Sequence, residues 1–214
     1  MPPENLPILD ELPVDEATGE TLYIYEAIEG ALGVRLVNLV YRHLATVPGA
    51  LEWAWYTIGG ILEAGLFSER STALEAALPA FAGRRISLEA AGLTRSDAVR
   101  VCETLDAYNK ANPINALSLR VIELALCEGR PADAITVNRP VFRKLPVLLP
   151  MFSLNDMSPA TRQLMQRLAT LTTGRDTQII PSLFRHFAPW PEFLSCLADT
   201  MEDMTADGFI DDQE

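Results

Sequence analysis

One stretch of this chain occurs twice. Residues 37 to 51 read VNLVYRHLATVPGAL, and residues 180 to 194, at a constant offset of 143, read IPSLFRHFAPWPEFL. Arg42, His43, Ala45, Pro48 and Leu51 recur unchanged as Arg185, His186, Ala188, Pro191 and Leu194. Val37, Val40, Tyr41 and Leu44 keep their character as Ile180, Leu183, Phe184 and Phe187. The only two histidines of the chain occupy the same place in both copies. A period this long is not that of a solenoid. It predicts an all-α chain of two tandem helical repeats related by a pseudo-twofold axis, a pseudo-dimer within one polypeptide.

The rest of the chain is organised around these copies. Four prolines among residues 1 to 16 exclude a regular helix there, and this segment is expected to be a flexible leader. Residues 17 to 129 read as the first repeat plus central helices. Leu22, Tyr25, Ile28 and Leu32 form the stripe of a first helix ending at Gly33, and Val37, Val40, Tyr41 and Leu44 that of a second. Pro48 suits the first turn of a third helix, which carries Trp53, Trp55, Gly59 and Gly60. A fourth is expected from about Glu69 to Leu78. Thr94 or Ser96 caps a fifth, which the segment YNKANPIN, residues 108 to 115, is expected to break; Ile114, Leu117, Val121 and Leu124 then mark the restarted helix. Residues 130 to 157 hold Pro131, Pro140, Pro146 and Pro150 among apolar runs and read as a Pro-rich connecting strap. Ser158-Pro159 opens the second repeat, residues 158 to 205, and residues 206 to 214 form an acidic tail. No stretch alternates convincingly with period two.

Charge and cysteine usage narrow the function classes. A net charge of −12 opposes non-specific binding to nucleic acid or to an anionic membrane, while leaving a small anionic ligand open to a local arginine. Neither a signal-peptide pattern nor an apolar run near the length of a membrane span occurs, so a cytoplasmic protein is expected. Cys102, Cys127 and Cys196 are scattered, with no CxxC or His/Cys cluster. That argues against a zinc site, a disulfide framework and the CxxC or CxxH chemistry of an alkylhydroperoxidase, and small buried thiols are expected instead.

Several residues compete for functional roles. Arg42 and Arg185 sit near helix C-termini, where an arginine stabilises exposed carbonyls and can pair with a carboxylate across the twofold; anion binding by Arg42 is the functional counterpart. The matched histidines lack a Ser/His/Asp setting. Trp53, Trp55 and Tyr56 can line an apolar pocket, but residues two apart on a helix face different ways, so one tryptophan belongs to the core. Asn109, Asn112 and Asn115 are expected to cap the helix break.

Taken together, a Tyr-containing helix with IYEAI, then VNLVYRHLATVPGAL, a central YNxANP segment and a second copy ending LFRHFAPWPEFL resemble the group I 2-haloacid dehalogenases, the halocarboxylic acid dehalogenase family, as a short divergent member. The resemblance spans about residues 20 to 200 and rests on loose helical motifs. It implies a pocket between two repeats and hydrolytic removal of halide from a small 2-halocarboxylic acid, with no metal or organic cofactor. It also implies that an aspartate activates water, that Asn112 of the Asn-Pro pair helps to hold that water, and that Tyr25 lines the pocket; Trp53 and Arg42 are the further candidates for contact with substrate.

The aspartate is where the chain departs from the family. The family places it on the leading helix of the second repeat, whereas here SPATRQLMQRLATLTTG carries no acid between Asp156 and Asp176. Either of those two reaches the pocket from a helix end, or the protein is a non-catalytic ligand-binding or assembly protein. The expected partner in either case is a small organic acid or another small ligand, with a homodimer left open.

Overall fold

The computed structural model describes residues 9–77, 86–129, 145, 147–174, 177 and 179–206. Among these there is no strand. Eight α-helices follow in order: α1 Gly19–Leu32, α2 Leu39–Leu44, α3 Ala50–Glu63, α4 Leu66–Ala77, α5 Arg95–Glu128, α6 Pro159–Thr173, α7 Ser182–His186 and α8 Pro191–Ala206. No helix among the described residues is long and apolar enough to cross a membrane. Most of the expected strap, the acidic tail beyond 206 and Asp176 lie outside the described residues.

The chain divides into two compact units. The first joins Asp10–Pro79 with Asp106–Leu148, and the second joins Ala80–Leu105 with Leu149–Glu214 and Met1–Leu9. In the first unit α3 packs on α1, α2 and α4, burying Ile24, Ile28, Leu32, Leu51, Ile58 and Leu62. Gly33 ends α1 in the left-handed conformation at φ 64°, donating its N–H to the Glu29 carbonyl at 2.8 Å. The Asn38 side chain caps α2. Helix α3 begins at Ala50, so Pro48 stands just outside it. Its two glycines are buried, and a Cβ on Gly59 would stand 2.8 Å from the Trp55 indole one turn back. Gly59 therefore lets a tryptophan lie flat along its own helix.

The second unit is built on α6 against α8, with Met165, Leu168, Phe184, Phe187, Leu194 and Ala198 at its centre. Phe187 and Phe193 meet edge to face at 5.2 Å. Ser158 caps α6 by accepting from the Thr161 N–H, with Pro159 in the first turn and Gly174 closing the far end. Arg167 on α6 grips Glu202 with two nitrogens, at 2.7 and 2.6 Å, and reaches Asp199 at 2.9 Å, tying it to α8.

Two expectations are corrected here. Helix α5 runs unbroken from Arg95 to Glu128 with Pro113 inside it, so YNKANPIN is not a helix break and its asparagines are not caps. The start is sharp: Thr94 and Asp97 form a reciprocal capping box, each side chain accepting from the other's backbone N–H. Once nucleated, a long helix tolerates one proline if its surroundings hold it, at the loss of the bond that residue 113 would have given to the Asn109 carbonyl. The cysteines are also not buried: Cys102 and Cys127 are exposed and Cys196 is half-buried, its thiol donating to the Ala90 carbonyl at 3.4 Å.

Candidate functional site

The Arg-His pairs are fastened in the same way in both units. In the first, the Leu12 N–H donates to the Arg42 carbonyl at 3.0 Å, and His43 Nδ1 donates to the Asp10 carbonyl at 2.8 Å. In the second, the Phe152 N–H donates to the Arg185 carbonyl at 3.3 Å, and His186 Nδ1 donates to the Leu149 carbonyl at 2.7 Å. A carbonyl can only accept, so both imidazoles hold the Nδ1 proton in their neutral form. Each pair thus clamps the extended segment that precedes its unit's leading helix.

The arginines reinforce these clamps. Arg185 Nε donates to the Phe152 carbonyl at 3.0 Å. Arg42, 2% exposed, pairs with Glu11 at 3.0 Å, a carboxylate of its own unit. Tyr25, fully buried, donates its hydroxyl to the Leu12 carbonyl at 3.1 Å. Burial pushes the Tyr25 phenol up to about 12, with Arg42 opposing and Glu11 adding to the rise. Two of the residues expected to meet a substrate, Tyr25 and Arg42, are therefore brought together around the 10–12 segment. Trp53 is half-exposed on α3, and Trp55 is the core member of the pair.

A different constellation emerges on α5. Val101, Thr104, Tyr108, Ala111, Asn115, Ser118 and Ile122 are buried at alternate spacings of three and four, with Ala107 and Ile114 buried beside them. Of the apolar positions expected to form the stripe, Ile114 is buried, whereas Leu124 is 40% exposed and Leu117 and Val121 are half-buried. In the first unit, then, the inward face of α5 carries two polar residues one turn apart. Ser118 donates to the Ile114 carbonyl at 2.8 Å. The buried Tyr41 hydroxyl faces Ser118 without a hydrogen bond of normal geometry, and burial raises its phenol to about 12. Asn115, 3% exposed, has both amide atoms buried with no partner among the described residues. Leaving such atoms unmade costs about 1–3 kcal/mol each.

At the end of α3 stands a second unsatisfied group. Glu63 Oε1 is buried without a partner, and desolvation raises its carboxyl above the ordinary range. Asn112 is exposed on α5, and Asp156 is exposed in a 3-10 turn, Leu154–Asp156. Helix α6 has no acidic residue. No group of three or more metal-ligating side chains occurs among the described residues. Asn115 was discoverable from the sequence by carrying the register of residues 101, 104, 108 and 111 through Pro113. A lone glutamate at a helix end, such as Glu63, gives no such signal.

The class so defined is an all-helical chain of two compact units, each with an extended segment clamped to a short Arg-His helix. No family model and no curated protein matches the sequence. Among solved structures, a D-2-haloacid dehalogenase mutant in complex with D-2-CPA superposes with a TM-score of 0.69 at 18% identity, over 90% of this chain and 70% of that one. A mutant D-2-haloacid dehalogenase gives 0.68 at 17%, over 90% and 70%. The D-2-haloacid dehalogenase in complex with L-LA gives 0.68 at 17%, over 91% and 70%. The protein has a haloacid-dehalogenase-like fold.

Proposed function

We propose that the protein binds a small organic acid on this fold and that Asn115 is the group that holds it. The observation behind this is the amide itself, enclosed within the protein with neither atom satisfied. Native proteins keep few such groups, and those they keep call for a partner. A carboxylate supplies the acceptor for the Asn115 N–H, and a water carried in with it supplies the donor for Oδ1. In the same proposal the two Arg-His segments are copies of one repeat about a pseudo-twofold axis, which is supported by the matching histidine and backbone bonds in each unit.

One observation favours a second function, hydrolytic removal of halide from a small 2-halocarboxylic acid. Attack of water on C2 forms the C–O bond as the carbon–halogen bond breaks; halide departs and a base takes the proton. The base cannot come from α6, which has no acid, but Glu63 has the character required: a carboxylate with an unpartnered buried oxygen and a raised proton affinity.

Calorimetric titration with racemic 2-chloropropionate, with halide release followed in parallel, tests both. Saturable binding that Asn115→Leu removes, without halide release, is the outcome expected of a binding protein. Halide release that falls about 10²-fold or more in Glu63→Gln identifies the hydrolase. No binding and no release at high protein concentration overturns both.

A further inference from the structure

The first unit contains a cavity of about 330 Å³ between α4 and α5, independent of Asn115. This lies at the low end of the range of about 300–1,000 Å³ typical of small-molecule sites. Helix α5 contributes Asp106, Asn109 and Lys110, and α4 contributes Ser68, Ser71 and Thr72; Ile114 is the one apolar member. Such a lining selects against a flat apolar ligand.

The charges are unusually arranged. An aspartate and a lysine four residues apart on a helix ordinarily pair across the turn. Here they do not: Lys110 Nζ donates instead to the Gly33 carbonyl at 3.2 Å, and Asp106 makes no ion pair or hydrogen bond among the described residues. Gly33 leaves room for this. Its φ of 64° disfavours any side chain, and a Cβ there would stand 2.7 Å from Lys110 Nζ. One cavity thus holds a carboxylate and an ammonium apart, each with capacity for a partner.

The α4 wall has a defined polarity. Ser71 and Thr72 both donate their hydroxyl protons to the Ser68 carbonyl, at 2.9 and 3.1 Å, so toward a ligand both can only accept. A ligand there must donate to α4, offer an anion to Lys110 and offer a cation to Asp106. We infer that the cavity between α4 and α5 binds a free amino acid with a hydroxyl or amide side chain: its ammonium on Asp106, its carboxylate on Lys110 and Asn109, and its side-chain donor on Ser71 and Thr72.

Calorimetry on the full chain with L-glutamine and L-serine tests this, against ethanolamine, which lacks the carboxylate, lactate, which lacks the ammonium, and glycerol. Saturable binding of at least one amino acid with a dissociation constant of about 1 mM or below is expected, with the three controls at least tenfold weaker, about 1.4 kcal/mol. Asp106→Asn should weaken binding about tenfold. Because Asp106 is exposed and makes no ion pair or hydrogen bond among the described residues, that variant is expected to keep its circular dichroism spectrum and melting temperature, so the loss is not one of folding. Lys110→Met is expected to act likewise. Absence of saturable binding by either amino acid, equal binding of any control, or wild-type affinity in Asp106→Asn overturns the inference.

Discussion

Arg42 is almost wholly enclosed, and the carboxylate opposite it, Glu11, is 14% exposed. Removing one partner of such a pair strands the other charge, whereas removing both need not. Arg42→Leu is therefore expected to lose about 3 kcal/mol of unfolding free energy in urea, and Arg42→Leu with Glu11→Leu to regain most of it. If the single and double variants unfold alike, the pair is not what holds the 10–12 segment. Tyr25 and Tyr41 give a pH signature. Both phenols lie near 12 against an ordinary 10.0. Their neutral forms stabilise the fold fully below pH 10, and that stability is lost as pH rises through about 12. Phenolate absorbance should show Tyr25 and Tyr41 titrating late, together with alkaline unfolding. Ordinary titration of these two would place both hydroxyls in water.

Among the elements α5 is the most informative. Its inward face was only partly visible in the sequence, because the helix buries only Ile114 of the hydrophobic template Ile114, Leu117, Val121 and Leu124, and it buries Asn115 and Ser118 beside it. Tertiary context overrode pattern where the buried residues are polar, which is where function is expected to conflict with local rules. Asn115→Leu should accordingly gain about 1–3 kcal/mol in urea unfolding as it abolishes ligand binding, since an apolar side chain leaves nothing unsatisfied. A loss of stability would show that the amide is already satisfied in the folded protein. The helix ends were far more legible. Gly33 and Gly174 as stops, and Ser158 and Thr94 as caps, act through backbone geometry that a few residues dictate. The Arg-His pairs announced themselves by their spacing, but not what they do: segments more than thirty residues away receive their bonds.

For the whole molecule, a charge of −12 sets a background that no single contact reveals. Self-repulsion opposes the compact state, and salt relieves it. Raising sodium chloride from about 0.01 M, where the screening length is about 30 Å, to about 0.15 M, where it is about 8 Å, should raise the melting temperature. A gain of about 2–4 °C corresponds to 1 kcal/mol in a protein of this size. A fall with added salt would mean that exposed attractive pairs such as Arg167 with Glu202 outweigh the repulsion.

The clamps also bear on the order in which the chain is made. Asp10 to His43 and Phe152 to Arg185 each span 33 residues, and Leu149 to His186 spans 37, so each clamp closes a short loop at modest entropic cost. All residues of the first precede Val47, and all residues of the second follow Leu148. At about 5–20 residues per second, the ribosome finishes the first clamp about 5–20 s before it begins the second.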